Sequence, residues 1–326
     1  MSGMRAAPVP APLIRTVLGD IDAASLGRVN AHEHLFQVSP LLPGDELDDA
    51  RRSAAEAASL RDSGFDAMID ATPIGLGRRP ASVAAISEAT GLRVVASTGI
   101  HREAHYPDGH PLRALDADAR AALFLRDLRD GMPDADDAAE PDLDDASRAP
   151  VRAGLIKTGI GYWSISAFER TTLEAAAAAH AATGAAIMVH LEHGTAAHEV
   201  LDLLESLDVS AERVMLAHAD RLLDAGHHVE LLERGAALGY DGIARWKDRS
   251  DEELLTLTAA VVERGHDRLL LGGDVARASR YVAYGGMPGL AYLGARYLPR
   301  LRARIGEAAL ERMLVQHPRD LLTLSR

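Results

Sequence analysis

The 326-residue chain contains no cysteine, which excludes disulfides, thiolate metal sites and cysteine nucleophiles together. Any metal must then sit among nitrogen and oxygen ligands, a set suited to zinc, manganese, cobalt or iron. No run of about 18 apolar residues occurs, the length a membrane span needs. The opening MSGMRAAPVPAPLIRTVLG also lacks the apolar core of a signal peptide. No membrane partner and a cytoplasmic location are therefore expected. Positive charge is in deficit: 35 Lys and Arg against 48 Asp and Glu leave a formal net charge of −13. Binding nucleic acid would need basic patches, so nucleic acid is not expected as a partner, and the acidity is read as solubility.

What is present is a large apolar fraction, 47%, enough to core either one large α/β barrel or two ordinary domains. Short β-rich apolar runs occur at 28–31, 65–71, 92–98, 154–158, 186–190, 213–217, 236–240 and 268–271. Between them lie Ala- and Leu-rich stretches with helical spacing at 48–63, 80–90, 166–183, 196–207 and 251–264. Eight strands with intervening helices imply a parallel sheet, and eight is the number that closes a (β/α)₈ TIM barrel of the α/β class. An open doubly wound sheet is the alternative, but no Gly-x-Gly-x-x-Gly follows an early strand. Gly64, Gly91, Gly184 and Gly265 each precede a strand and read as glycines that end helices. The chain is read as a single domain over 1–326 with one acidic insertion near 127–149, DLRDGMPDADDAAEPDLDDASRA. That stretch lacks apolar periodicity and reads as a solvated loop between the third helix and the fourth strand. The Gly-punctuated spacing of a calcium loop is absent from it.

Polar residues stand at the ends of these strands. His32-Glu33-His34 closes the first run, and strand alternation sends His32 and His34 to one face with Glu33 on the other. Lys157 lies in GLIKTG, His190 ends AIMVHLEH, His218 ends RVMLAHADR and Asp274 follows RLLLGG. In a barrel of parallel strands the C-terminal ends converge on one mouth. A single His at a strand end is more often structural than ligating. A lysine inside an apolar strand, however, must be partnered or neutralised. Coincidence at the same end of five strands reads as a metal centre assembled from a ring of strands.

These motifs resemble the phosphotriesterase family of the amidohydrolase superfamily. The resemblance runs from IRTVLGDIDAASLGRVNAHEHLF through GLIKTGIGY, VHLEHG and LAHADR to LLLGGDVARASRYVAYGGMPGLAYL and HPRDLL. It implies an amidohydrolase-type barrel in which His32, His34 and Asp274 bind one divalent metal and His190 and His218 a second, zinc above manganese, cobalt or iron. It also implies that Lys157, carboxylated by carbon dioxide, bridges the two ions. The physical logic agrees, because a buried lysine has a depressed pKa and its neutral amine can add carbon dioxide. A hydroxide bridging the metals is then the nucleophile, and Asp274 is the catalytic proton acceptor.

The substrate rests on the loops. The lactonase branch carries a Tyr after the third strand, where TGIHREAHY has His101, and an Arg directly after the seventh-strand Asp, where Asp241 is followed by Gly242. Acyl-homoserine lactones are therefore not assigned. A branch acting on phosphorylated sugar lactones holds the phosphate with a Lys after strand seven and an Arg after strand eight. Lys247 and Arg277 stand at matching places, with Arg280 and Tyr281 beyond. Cations at the mouth of an acidic protein suit an anionic substrate. The structural alternative is that Lys247, Arg249 and Arg277 pair with Asp248, Asp251 and their neighbours. Trp246 is read as either a pocket wall or a core residue, and the tyrosines from Tyr281 onward as packing for the last helix. His101, with His105 and His110, forms a rim loop and is a candidate substrate contact. The leading expectation is a binuclear metal-dependent hydrolase of a small lactone or ester, with a small-molecule substrate and a homodimer as the assembly considered. The alternatives are a phosphotriester or phosphodiester hydrolase and a non-catalytic metal-stabilised binding barrel.

Overall fold

A computed structural model of the chain describes residues 12–136 and 149–324. The eight apolar runs form parallel strands β1 (Val29–Glu33), β2 (Ala67–Asp70), β3 (Arg93–Thr98), β4 (Leu155–Ile160), β5 (Ala186–Leu191), β6 (Val214–Ala217), β7 (Ala237–Tyr240) and β8 (Leu269–Leu271). They pair in chain order from β1 to β8. The ring closes where the Asp274 N–H donates to His32 O at 2.9 Å. Beside it, the Val275 N–H donates to the Glu33 carboxylate at 3.0 Å. The connecting helices are α1 (Ala50–Asp62), α2 (Pro80–Thr90), α3 (Ala117–Arg129), α4 (Ala167–Thr183), α5 (Ala197–Ser206), α6 (Ala225–Glu233) and α7 (Asp251–Glu263). Beyond β8, α8 (Leu298–Ile305) and shorter helical segments follow. Gly91 and Gly184 end α2 and α4 with φ of 69° and 71°, a conformation that a Cβ would strain.

Alternation along the strands sorts two apolar layers. Ile187, Val189 and Leu191 of β5 face the helices, in one cluster with Leu173 of α4 and Leu201 of α5. Ala186 and Met188 face the barrel interior with Ala67, Leu155, Met215 and Ala237. The interior mixes alanines with larger Leu, Ile and Met side chains, so that small and large residues share the space around one axis. His190 continues the inward phase of β5, and so does Lys157 after Leu155 of β4, two residues apart in each case. In β1 the phase breaks: its register against β2 shifts between Asn30 and Glu33. Ala31 faces the interior, and the shift lets His32 and His34 face it as well.

Two expectations need correction. A hairpin of Leu13–Thr16 and Gly19–Asp22 precedes the barrel and was not foreseen. Ile14 from it, together with Leu321 and Leu322, plugs the N-terminal end of the interior. The acidic segment is not solvated along its whole length. Asp127–Arg129 belong to α3, and Asp127 is fully buried. Its carboxylate accepts from Arg78 Nη1 at 2.9 Å, Thr98 Oγ1 at 2.8 Å and Arg126 Nη2 at 2.8 Å. Asp136 takes Arg78 Nε at 2.8 Å. The rest of the expected loop, 137–148, lies outside the described residues. Asp127→Ala strands a buried arginine with one carboxylate fewer. It should lower unfolding stability by roughly 3–5 kcal/mol, the usual loss when one partner of a buried pair is removed, and urea unfolding measures this directly.

Candidate metal centre

The strand-end residues meet at the C-terminal mouth. The rings of His32 and His34 lie 5.4 Å apart between centroids, His32 and His218 5.0 Å, and His190 and His218 4.5 Å. Asp274 Oδ1 is 3.6 Å from His34 Nε2 and 3.8 Å from His32 Nε2. Lys157 Nζ lies 3.4 Å from His32 Nε2 and 3.2 Å from Met188 Sδ. Gly159 in β4 and Gly272 just after β8 make the room. A Cβ on Gly159 would stand 3.1 Å from His190 Cβ, and one on Gly272 would stand 2.8 Å from His32 Cβ. His218 and Asp274 both adopt positive φ, 64° and 40°, the kind of backbone strain that recurs at functional sites.

Each of the four imidazoles has one ring nitrogen engaged by a protein acceptor. His32 Nδ1–H donates to Asp241 Oδ2 at 2.8 Å, and His218 Nδ1–H to Asp241 Oδ1 at 2.5 Å. His34 Nδ1 lies 2.8 Å from Thr72 Oγ1. The Thr72 hydroxyl donates its own proton to Phe36 O at 3.0 Å, so it accepts from His34. His190 Nε2–H donates to Glu192 Oε2 at 2.9 Å. The remaining lone pair is Nε2 for His32, His34 and His218, and Nδ1 for His190. Imidazoles that each donate outward and turn one basic nitrogen inward, that of His32 toward Lys157 Nζ, are oriented as metal ligands are. Atoms of His32, His34 and Asp274, and likewise of His32, His218 and Asp241, lie within 4.8 Å of one another. The donor chemistry therefore fits divalent metal.

Electrostatics keep this set in its ligating protonation states. Burial, then Lys157, pull His32 down to about 4, and burial, then Arg221, pull His218 down to about 3. Burial lowers Lys157 to about 8. Burial alone would raise the Asp241 carboxyl, but the facing His218 and His32 outweigh it and hold it well below the ordinary range. Asp274 is likewise held low against its burial, Arg245 being the largest stabilising neighbour. Glu33 on the opposite face of β1 is raised by burial to about 8. It accepts from Asn30 Nδ2 at 2.9 Å and from the Val275 amide.

His101 differs from these four. Its Nδ1 accepts the Arg102 amide at 2.7 Å, so in the neutral ring the proton sits on Nε2, and the side chain offers a donor rather than a ligand. It stacks on His105 at 4.1 Å and reaches His190 at 4.6 Å. His32, His34, His101, His105, His190, His218 and Asp274 line one cavity of about 240 Å³, together with Gln37, Leu41, Arg221, Arg245 and Arg277, while Lys157 and Asp241 are buried outside its lining. A second cavity of about 380 Å³ adjoins it, lined by Arg245, Trp246, Lys247, Arg277, Arg280 and Met287. Trp246 is a wall there, 57% exposed.

Lys247 therefore faces the second cavity and not the histidines. Arg280 departs from the free cation expected: its guanidinium donates to Asp274 O at 3.0 Å and Ile243 O at 3.1 Å, binding the β7 and β8 loops together. The structural alternative for the cations is not realised. Arg249 donates to backbone carbonyls of Asp220 and Arg221, and Asp251 takes the Ala244 amide and the Tyr292 hydroxyl. Tyr281 was expected only to pack, yet its hydroxyl donates to His34 O. Sequence reasoning also passed over Thr72, Glu192, Arg221 and Arg245, and treated Asp241 only as a branch marker. For Asp241 a signal existed, since it ends β7 as the ligating candidates end their strands. For the others, nothing local marks the contact. A further His/His/Glu group, His198, His227 and Glu230, lies outside on α5 and α6. There Arg234 donates to His198 Nδ1 at 3.2 Å, putting a fixed cation where a metal would need none.

A parallel (β/α)₈ barrel whose C-terminal mouth gathers four oriented imidazoles, a buried lysine and an aspartate is the architecture of the metal-dependent amidohydrolase-type barrels. The chain belongs to the phosphotriesterase family, whose sequence profile matches residues 12–322. It is similar to the phospho-furanose lactonase of Mycoplasmopsis agalactiae, 28% identical over 324 residues that cover 95% of this chain and 91% of the relative. Among solved structures it is similar to a lactonase from Listeria monocytogenes, at 28% identity and TM-score 0.87, covering 96% of this chain and 100% of that one. The phosphotriesterase homology protein from Escherichia coli, solved with phosphate in its active site, aligns at 27% identity and TM-score 0.81 over 91% of this chain and 99% of that one.

Asp241→Asn keeps the volume but removes one of the two acceptors that orient His32 and His218. Metal affinity, read by competition with a chromogenic chelator, should fall 10–100-fold, the range for lost outer partners of ligating histidines.

Proposed function

We propose that this protein is a metal-dependent lactonase that opens the ring ester of a small lactone carrying a remote anionic group, as a phosphorylated sugar lactone does. The observation that carries the reading is the adjacency of the two cavities. One is walled by the oriented imidazoles, and the other by Lys247 and Arg277, both exposed and neither within ion-pair distance of a carboxylate among the described residues. Of the chain's two lysines, Lys247 lines the second cavity and Lys157 is buried in β4 against His32. The phospho-furanose lactonase relative and the phosphate in the Escherichia coli relative support the same reading.

His32, His34 and Asp274 would hold one divalent ion and His190 and His218 a second, with Lys157 between, and zinc suits the imidazole and carboxylate donors best. When bound, such ions supply a water of lowered pKa and a Lewis acid for the ester carbonyl. The protein's own groups do the rest. Lys157, buried and lowered to about 8, has an appreciable neutral fraction near pH 7. Its amine would add carbon dioxide through a new N–C bond and lose one N–H proton to solvent, giving a carbamate anion whose charge offsets that of the ions. Asp274 accepts the proton of the attacking water and passes it to the departing ring alkoxide. His101 presents Nε2–H to a substrate oxygen. Lys247 and Arg277 hold the remote anion and orient the ring.

Below about pH 8 the neutral fraction of Lys157 falls roughly tenfold per pH unit. At fixed dissolved carbon dioxide, metal uptake by chelator-stripped protein should therefore quicken with rising pH and level off above about 8. Lys157→Ala should abolish the carbon dioxide dependence, and a flat profile in the wild type contradicts carboxylation.

A panel of phosphorylated lactones, neutral lactones and aryl phosphotriesters tests the substrate. Lys247→Ala and Arg277→Ala should raise KM for the phosphorylated lactone and leave neutral lactones nearly unchanged. Asp274→Asn should lower kcat on both by roughly 10²–10⁴-fold, as loss of a general base does. Faster turnover of phosphotriesters than of any lactone would reject the assignment.

A further inference from the structure

Arg245 stands in the wall between the two cavities and lines both. On the histidine side its Nη2 donates to the Asp274 carboxylate and, at 2.7 Å, to Asp274 O. Arg221 Nη2 backs the same carboxylate oxygen at 3.4 Å. The Arg245 Nε–H is buried and has no hydrogen-bond partner among the described residues. An unmatched donor on a largely buried guanidinium is costly unless a ligand completes it.

The second cavity has cations to spare. Among the described residues, Lys247 and Arg277 lack carboxylate partners, Arg280 is engaged only by backbone carbonyls, and Asp248 is the one acidic residue in the cavity lining. An anion lodged there would meet a guanidinium that already holds Asp274. Arginine presents five N–H donors in a planar fork, so one guanidinium can face two acceptors or be drawn from one to the other.

We propose that Arg245 is a specificity residue shared between Asp274 and an anionic group in the second cavity, so that binding of the anion loosens its hold on Asp274. This rests on the reading of the second cavity as an anion site. Asp274 is then clamped by Arg245 in the absence of an anion, and when an anionic substrate fills the cavity its outer oxygen is left to the longer, 3.4 Å contact with Arg221. The remote group thus contributes to turnover as well as to binding, which sets anionic substrates apart from neutral ones of the same ring. Coupling of this kind is reciprocal: whatever frees Arg245 from Asp274 must strengthen anion binding by the same factor.

The test is a double-mutant cycle read by binding. A five-carbon alditol phosphate has the anion but no carbonyl to attack. Calorimetric titration into the metal-loaded full chain gives its Kd for wild type, Asp274→Asn, Arg245→Gln and the double variant. Asp274→Asn should tighten binding on the order of tenfold, within the usual span of site-to-site coupling, and Arg245→Gln should weaken it. In the Arg245→Gln background, Asp274→Asn should leave the affinity unchanged. A simple loss of negative charge near the anion would tighten binding in both backgrounds; such additivity overturns the sharing of Arg245 while leaving the anion site intact. No binding to the wild type removes the anion site and the proposal with it. Arg245→Lys, which keeps the charge but not the fork, serves where the Gln variant does not fold. It should also shrink the coupling, and full coupling through lysine would likewise reject the shared fork.

Discussion

The Asp241 carboxylate is the point on which the site turns. It accepts a ring N–H from His32 on β1 and from His218 at the end of β6, and the His218 backbone N–H at 3.2 Å. Burying a carboxylate costs several kcal/mol unless its lone pairs are satisfied, and here three donors satisfy them. The same bonds settle which nitrogen of each imidazole faces the cavity. One aspartate therefore couples the strands on either side of the barrel seam and decides the tautomer of two candidate ligands.

Charge is distributed against the overall balance. The chain carries a formal −13, yet its functional mouth gathers Arg221, Arg245, Lys247, Arg277 and Arg280. The carboxylates that enter this region are bound tightly: Asp274 by Arg245, and Asp220 by the Gly242 amide at 2.7 Å. What stays uncompensated is the positive rim of the second cavity. Such a mouth draws anions toward itself while the remaining surface repels them.

Geometry at the mouth is obtained at the expense of backbone comfort. His218 and Asp274 stand in left-handed conformations, where a Cβ crowds the backbone. The neighbouring hydrogen bonds over-determine both. His218 is tied to Asp241, and Asp274 is held by its own amide to His32 O and by Arg245 and Arg280 at its carbonyl. Loops after β6 and β8 can thereby place a side chain as firmly as a strand does.

The sequence by itself determined the eight strands, their order and the polar residues carried by five of them, because period-two alternation and strand-end position are local properties of the chain. His32, His34, Lys157, His190, His218 and Asp274 were all legible in this way. Asp241 was legible by position but not by role, since its partners lie 209 and 23 residues away. Only the tertiary structure decided the hydrogen-bond partners that orient each imidazole, the burial of Asp127 against Arg78, and the division of the cations between two cavities. Arg280 and Arg245 illustrate the reason: two arginines in adjoining loops look alike in sequence, and only the fold brings one against backbone carbonyls and the other against Asp274. Which acceptor a guanidinium meets depends on loop paths that close across the barrel seam, and no local pattern encodes them.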